Sequence, residues 1–166
     1  MPAPFHLVCG STGAGKTTYS LSLAERLRGV RFSIDEWMTT LFGKDAPQPL
    51  EFGWMMERIG RCEIQIGRMA IQCAGHGLPA VLDLGFTRAD QRARLAALAR
   101  DAGSDVVLHF LDLPAEARWA RVEARNREKG KTFALEVTRP MFDFVETLWQ
   151  APSEAEMTAL NAIRVT

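Results

Sequence analysis

A glycine-rich loop near the amino terminus holds the residues of this sequence best suited to bind phosphate. It follows a short apolar run at residues 5–8 and precedes a stretch with helical character. Glycines let the backbone curl until several N–H groups point at one phosphate, and the positive end of the next helix adds to the attraction. The loop consists of Gly10, Ser11, Thr12, Gly13, Ala14, Gly15, Lys16 and Thr17, with Thr18 directly after it. This pattern predicts that the chain binds a nucleoside triphosphate.

Two side chains at the end of the loop have complementary tasks. Lys16 supplies a cation that can reach the β- and γ-phosphates, and Thr17 offers a hydroxyl to the Mg²⁺ that bridges them. An ordinary glycine turn is the alternative, but the full pattern between a predicted strand and a predicted helix disfavours it. We therefore expect ATP and Mg²⁺ as ligands, with GTP as the other nucleotide that fits the pattern.

Composition and charge are typical of one globular domain. The chain has 166 residues, of which 47% are hydrophobic and 24% are charged, so a sizeable core is possible. Twenty basic residues balance twenty acidic ones, which argues against a long nucleic acid as the main partner. The apolar run at the amino terminus is too short for a signal peptide or a membrane span. We expect a single cytoplasmic domain over residues 1–166, without membrane contact, as a monomer or weak dimer.

The three cysteines support the same compartment. Cys9, Cys62 and Cys73 lie in apolar segments and lack the spacing of metal ligands, which is typical of reduced thiols in the cytoplasm. Cys9 adjoins the phosphate-binding loop, so it is either a reactive thiol or a small core residue. The second interpretation is favoured, because cysteine packs readily in cores.

Strands and helices alternate along the chain. Apolar runs predict strands at 5–9, 31–34, 80–84, 105–111 and 162–165, the last at an edge. Helices are predicted at 16–28, 36–41, 52–73, 114–129 and from 138 or 140 to 149. A further helix is predicted to open at a capping box of Thr87 and Asp90 and to run to residue 102. Strands separated by helices imply a parallel sheet covered on both faces. We expect a three-layer α/β/α domain, with its ligand site at the carboxyl ends of the strands.

Two acidic residues follow strands that end near this site. Asp35 ends the second strand, and Asp83 lies near the end of the third. A carboxylate there can coordinate Mg²⁺ or accept the proton of an attacking hydroxyl. We assign Asp35 as the general base and as a possible metal ligand, and Asp83 as a magnesium-linked acid. The alternatives are a helix cap for Asp35 and a structural hydrogen bond for Asp83.

Three arginines share one face of the helix predicted at 114–129. Arg118, Arg121 and Arg125 are offset by three and seven residues, and none has a carboxylate four residues away. Arg121 and Arg125 repel each other unless an anion lies between them. We expect Arg121 and Arg125 to act on the transferred phosphoryl group and Arg118 and Arg125 to contact the nucleotide. A solvated charged face is the alternative.

Several segments occur together, and in this order, in one group of enzymes. They are the loop at 10–17, the acidic turn at 33–36, the strand and turn at 82–88, the segment at 110–114 and the helix at 121–127. The chain resembles the predicted bacterial P-loop kinases of the AAA-type ATP-binding domain class. That class is similar to zeta toxins, chloramphenicol phosphotransferase and the kinase domain of polynucleotide kinases. The resemblance covers the chain from Phe5 to about Glu156, and the phosphate-binding loop is its one sharp motif.

The resemblance implies a fold and an activity. The fold is a P-loop NTPase domain, like adenylate kinase, with a five-stranded parallel sheet of order 2-3-1-4-5 and a lid around residues 118–139. The activity is ATP-dependent phosphorylation of a hydroxyl, with Asp35 as the base and Arg121 and Arg125 as lid arginines. The chain lacks an Asp-x-Asp motif after the second strand and the triple glycine of shikimate kinases, so the acceptor stays open.

The region between the second and third strands is expected to line the acceptor pocket. It is rich in apolar and aromatic residues, which suits a flat or apolar small molecule, although core packing explains most of them equally well. These residues are Trp37, Met38, Phe42, Phe52, Trp54, Met55 and Met56. Three arginines, Arg58, Arg88 and Arg92, are candidates for binding an acidic acceptor from the same side.

Two classes of function fit these observations. The first is a kinase that phosphorylates a hydroxyl of a small molecule. The second is an ATPase or nucleotide-dependent switch that has no acceptor. Within the kinase class, the nearest competitor is a nucleic-acid 5′-hydroxyl kinase, which the balanced charge limits to a short stretch of contact.

Overall fold

The computed structural model describes residues 1–130 and 136–166. Within these residues there are five strands: β1 (Phe5–Cys9), β2 (Val30–Ser33), β3 (Ala80–Asp83), β4 (Val106–Leu111) and β5 (Ile163–Val165). They pair in parallel in the order β2-β3-β1-β4-β5. The predicted sheet and its strand order are confirmed, and β1, which carries the phosphate-binding loop, lies at its centre.

Helices connect the strands and cover the sheet. Over the described residues they are α1 (Lys16–Leu27), α2 (Ile34–Phe42), α3 (Phe52–Gly75), α4 (Ala89–Asp101), α5 (Ala115–Glu128), α6 (Arg139–Leu148) and α7 (Glu154–Ala159), with a short 3-10 helix at Gly43–Asp45. No helix in this part of the chain is long and apolar enough to cross a membrane.

The core lies on both faces of the sheet because neighbouring residues of a strand point in opposite directions. Phe5 and Leu7 of β1 pack on one face, in the cluster that includes Ile66 of α3 and Leu95 of α4. Val8 packs on the other face with residues of α1. The domain therefore has the expected three layers, α/β/α.

Two predicted helix starts are wrong. The helix α2 was predicted from about residue 36 but begins at Ile34. Ser33 is its N-cap and its hydroxyl accepts the main-chain N–H of Glu36 at 3.3 Å, which excludes the alternative that Asp35 is the cap. At α4, Arg88 precedes the helix without a side-chain cap, and its Nε donates to Asp90 at 3.0 Å. The capping box of Thr87 and Asp90 does not form, because the N-cap is Arg88 and not Thr87. The helix α7 was not predicted.

Cys9 is a core residue. It is fully buried, and burial raises the pKa of its thiol to about 12, so the reactive thiolate is suppressed. Cys62 is also buried and Cys73 is half-buried, and all three cysteines are free of disulfide bonds.

Candidate functional site

The predicted phosphate-binding loop lies between the carboxyl end of β1 and the start of α1. Gly13 and Gly15 have φ angles of +80° and +91°, which residues with a side chain rarely adopt. A Cβ atom on Gly13 would also lie 2.5 Å from the main-chain oxygen of Arg118. The glycines therefore let the loop turn and let it lie directly against α5.

Lys16 is folded back over this loop. Its Nζ donates to the carbonyl oxygens of Gly10 at 2.8 Å and Ser11 at 3.2 Å. Loss of water around the ammonium lowers the pKa of Lys16, an effect that the carboxylates of Asp83 and Asp35 oppose. The cation is thus held at the loop by two main-chain carbonyl oxygens.

An ion pair between buried Arg118 and half-buried Glu146 is bonded to the loop. Arg118 donates from Nη1 and Nη2 to the two carboxylate oxygens of Glu146, at 2.7 Å each, and from Nη1 to the Thr12 carbonyl at 3.1 Å. The hydroxyl of Ser11 donates to the same carboxylate. These bonds from Arg118 and Ser11 lower the pKa of Glu146. Arg118 is only 5% exposed and lines neither cavity described below, so its contacts brace the loop instead of making the expected contact with a nucleotide.

The other two arginines predicted to act at the site, Arg121 and Arg125, line the main cavity. Arg121 Nη1 donates to the Ala14 carbonyl at 3.4 Å, and Arg125 follows it by one helical turn. Both line the main cavity, and the buried Nε of Arg125 has no hydrogen-bond partner among the described residues. Of the three arginines that were expected to act on the nucleotide, only Arg121 and Arg125 therefore line the cavity. Residues 131–135 of the predicted lid lie outside the described residues.

Asp35 occupies the first turn of α2 and opens into the same cavity. Removal of water by the surrounding walls raises the pKa of its carboxyl, and the negative charge of Asp83 adds to this. The positive charges of Lys16, Arg125 and Arg31 act in the opposite direction. Asp35 thus opens into the cavity, has a raised pKa and lies within electrostatic reach of Lys16 and Arg125.

Asp83, at the end of β3, is held in a second polar cluster. Its Oδ2 accepts from Arg31 Nη2 at 2.8 Å and lies 2.9 Å from the hydroxyl of Ser20 in α1. Arg31 Nε also donates to that hydroxyl at 2.7 Å. Asp83 is 6% exposed and lines the main cavity. The cluster ties β2, β3 and α1 together, as in the alternative of a structural hydrogen bond that the sequence left open.

Three residues of these clusters were missed in the sequence. Glu146 lies 28 positions from Arg118, and Arg31 lies 52 positions from Asp83. Ser20 has no motif of its own. One signal was present for Glu146: Arg118 has no carboxylate four residues away on its own helix, so on burial it needs a partner from elsewhere in the chain.

The main cavity has a volume of about 940 Å³. One part is formed by the phosphate-binding loop, Asp35, Asp83, Arg121 and Arg125. The other part, here called the apolar recess, is lined chiefly by Met38, Phe42, Leu50, Trp54, Met55, Met141 and Val145. A smaller cavity of about 520 Å³ lies beside the loop and shares Gly15, Thr18 and Arg121 with the main one.

The predicted aromatic region only partly forms this recess. Met38, Phe42, Trp54 and Met55 line it, as expected for an acceptor pocket. Trp37 packs against the core, whereas Phe52 and Met56 are 55% and 44% exposed at the surface.

The fold and the loop together define the class of the protein. A central parallel sheet of this order, with a glycine-rich loop between β1 and α1, is a P-loop nucleotide-binding domain with a kinase-like fold. The model of the AAA domain family matches residues 5–146, and the chain belongs to that family. No curated protein matches the chain in sequence.

Solved structures share this fold at low sequence identity. Kti12 of Chaetomium thermophilum, in complex with ADP-AlF3, has a TM-score of 0.72 and 14% identity, over 98% of this chain and 89% of that one. The APS kinase CysC of Mycobacterium tuberculosis, in complex with AMPPNP and APS, has a TM-score of 0.68 and 19% identity, over 99% and 88%. A sugar kinase from Janibacter sp. HTCC2649, unliganded, has a TM-score of 0.68 and 16% identity, over 99% and 85%.

Proposed function

We propose that the protein is a kinase that transfers the γ-phosphoryl group of ATP to a hydroxyl of a small molecule. The observation that carries this proposal is that Asp35, Lys16 and Arg125 line one cavity, which continues from the phosphate-binding loop into the apolar recess. A base, phosphate-binding cations and space for a second molecule therefore lie together. A volume of about 940 Å³ is in the range of small-molecule sites.

The nucleotide is expected to span the two cavities. Its phosphates would bind the main-chain N–H groups of the loop and the ammonium of Lys16. Its nucleoside would occupy the smaller cavity, where Thr18, Tyr19 and Leu113 form part of the wall. Arg121 lines both cavities, so its guanidinium would contact the phosphates at the point where the main cavity joins the smaller one.

The transfer step uses Asp35 as the base. The acceptor oxygen forms a bond to the γ-phosphorus as the bond to the β,γ-bridging oxygen breaks, and ADP leaves. Asp35 accepts the hydroxyl proton, and its raised pKa brings it closer to that task at neutral pH. Lys16, Arg121 and Arg125 offset the negative charge on the transferred group.

The donor set of the cavity is suited to Mg²⁺. Thr17, Asp35 and Asp83 all line it, and hydroxyl and carboxylate oxygens are the ligands that this ion prefers. The contacts of Asp83 with Arg31 and Ser20 both use Oδ2, so Thr17 and the other carboxylate oxygen of Asp83 would hold the ion and leave Asp35 available as the base. A bound ion would neutralise charge on the β- and γ-phosphates.

The two competing functions are each less well supported. An ATPase or switch has no use for the apolar recess that adjoins the base. A kinase for nucleic-acid 5′ ends requires cations along the path of the strand. The residues that chiefly line the recess are instead apolar, and the net charge of the chain is +0.

Acceptor-stimulated release of ADP tests the proposal. Purified protein with ATP and Mg²⁺ is screened against hydroxyl-bearing metabolites, antibiotics, nucleosides and 5′-hydroxyl oligonucleotides, with Lys16→Ala as the inactive control. At least one small alcohol is expected to raise ADP release and to appear as its phosphate ester. Release that no acceptor changes would favour the switch, and stimulation by oligonucleotides alone would favour the nucleic-acid kinase.

A further inference from the structure

We propose that the phosphoryl acceptor is an uncharged alcohol carried on an apolar body with a ring system. This inference rests on the proposed function and specifies the acceptor of the same site. It is argued from the walls of the apolar recess, from the charges around it and from the surface at its mouth.

The walls of the recess are apolar on two sides. Met38, Phe42, Trp54 and Met55 come from α2 and α3, and Met141 and Val145 come from α6. The rings of Phe42 and Trp54 meet edge to face, with centroids 6.5 Å apart and planes at 87°. Such walls offer a flat or apolar ligand dispersion contacts and burial, and methionines adapt to its shape.

The charged groups of the cavity leave the recess without a cation for the acceptor. The basic side chains in the lining are Lys16, Arg121 and Arg125, which the proposed reaction assigns to the triphosphate. The acidic ones are Asp35, at the edge of the recess, and Asp83, which is paired with Arg31. An anionic acceptor would lose its hydration and face Asp35, and among the described lining residues the only cations are the three assigned to the triphosphate.

The three arginines expected to bind an acidic acceptor are engaged elsewhere. Arg92 is fully buried and donates from Nη2 to Glu156 at 2.9 Å, and Arg88 pairs with Asp90. Neither they nor Arg58 line the recess. The guanidinium carbon of Arg58 lies 3.9 Å from the centroid of the Trp54 ring. Because that ring already binds a cation, it disfavours a cationic acceptor as well.

The apolar lining continues to the protein surface. Leu50 and Met141 line the recess and are also 49% and 42% exposed. Next to them in the chain, Phe52 and Phe144 pack edge to face across α3 and α6, with centroids 6.5 Å apart, although both are more than half exposed. An acceptor longer than the recess would therefore lie on apolar surface where it emerges.

Matched probes test the charge preference. The first probe is a naphthalene bearing one hydroxyethyl group, and the second carries a carboxylate at the far end of the ring. Binding to the wild-type protein with Mg²⁺ and ADP is followed by the fluorescence of each probe. The uncharged probe is expected to bind at least about tenfold more tightly, because no group in the recess offsets the desolvation of the carboxylate.

A pair of variants locates the effect. Leu50→Arg adds a cation to the lining at a half-exposed loop position, and it should reduce the ratio of affinities or reverse it. Met56→Arg is the matched control: Met56 is an exposed apolar residue nearby in the chain that does not line the cavity, so the ratio should stay at the wild-type value. Circular dichroism verifies that both variants are folded.

Three results would overturn the inference. They are equal or tighter binding of the carboxylate probe, no binding of the uncharged probe at its solubility limit, and a ratio that Leu50→Arg leaves unchanged. Calorimetry with ATP and Mg²⁺ on the wild type and Lys16→Ala separates this from failure of the proposed function. If nucleotide binding depends on Lys16, the proposed kinase function is retained and only the proposed acceptor class is rejected. If no nucleotide binds, both proposals are rejected.

Discussion

The two parts of the main cavity are built in different ways. Around the phosphate-binding loop, positions are fixed by backbone and by buried ion pairs: Gly13 lies against α5, and Arg118 is bonded to both Glu146 and the Thr12 carbonyl. Over the described residues, the walls of the apolar recess are positioned chiefly by packing, such as the contact of Phe42 with Trp54, and several of them, such as Leu50 and Met141, are half-exposed. Under the proposed function, the fixed part would bind the triphosphate and the adaptable part would bind the acceptor.

The largest expected effect tests the fixed part directly. Lys16→Ala removes the cation that contacts two loop carbonyls, so binding of ATP and phosphoryl transfer should both fall below detection. Calorimetry and ADP release measure the two losses. Lys44→Ala, at an exposed lysine outside the cavity lining, is the control and should behave as wild type. Retention of full activity in Lys16→Ala would mean that the loop is not the phosphate site.

Asp35 lies where the two parts meet. Asp35→Asn should lower turnover by roughly 10² to 10⁴ with little change in ATP affinity, because the amide cannot accept the proton. In the wild type, kcat should fall as pH drops through an apparent pKa above the ordinary 3.8, because protonation removes the base. The variant should lack this acid limb, and exposed Asp45→Asn should retain it. Loss of ATP affinity in Asp35→Asn would assign the carboxylate to the metal instead.

Arg121 and Arg125 test whether one face of α5 acts on the transferred group. Replacing both by Gln should lower turnover by roughly 10² and weaken ATP binding much less, because the charge to be stabilised is greatest in the transition state. Single-turnover kinetics and calorimetry give the two quantities. Arg127→Gln, on the same helix but outside the cavity lining, is the matched control. Unchanged turnover in the double variant would mean that these arginines form an ordinary solvated surface and do not act on the transferred group.

Glu146 tests whether the ion pair is a brace. Glu146→Gln leaves the buried guanidinium of Arg118 without its counter-charge and should lower the free energy of unfolding by about 2 kcal/mol, a value reduced for the partial exposure of Glu146. Urea unfolding measures it. Glu116→Gln removes the partner of an exposed pair with Arg139 and should have no measurable effect. Equal free energies of unfolding for the two variants would contradict a stabilising role of the ion pair between Arg118 and Glu146.

The smallest effect concerns a polar group beneath α1. His109 of β4 contacts His6 at 3.0 Å and the hydroxyl of Tyr19 at 2.8 Å, and burial lowers the pKa of His109 to about 4. Between the ordinary 6.5 and that value the unfolded chain binds more protons than the folded one, so stability should fall as pH falls. His109→Gln should reduce this slope in urea unfolding between about pH 7 and about pH 5, whereas exposed His76→Gln should not. Equal slopes in the wild type and His109→Gln would argue against a neutral His109.

Features encoded by local sequence were predictable. The phosphate-binding loop, the strands and the parallel order of the sheet follow from glycine positions, apolar runs and the resemblance to known kinases, and the structure confirms the sheet. The boundaries of β2 and α2 moved because Ser33 is the helix cap. Asp35, which was expected at the strand end, consequently lies in the first turn of the helix.

Features that depend on distant contacts were not predictable. The role of Arg118 is set by Glu146, and that of Asp83 by Arg31 and Ser20, which a helical periodicity or a strand pattern cannot reveal. The same holds for the acceptor candidates among the arginines. The sequence offers Arg58, Arg88 and Arg92 as equals, and only packing distinguishes the buried Arg92 from the stacked Arg58 and the surface-paired Arg88.

The half-exposed rim at Leu50 and Met141 also bears on how this kind of protein diversifies. Side chains that the folded state already leaves in water can be exchanged with little loss of stability. Selection for a new substrate can therefore begin at the rim and proceed by single replacements, each of which leaves the protein able to fold.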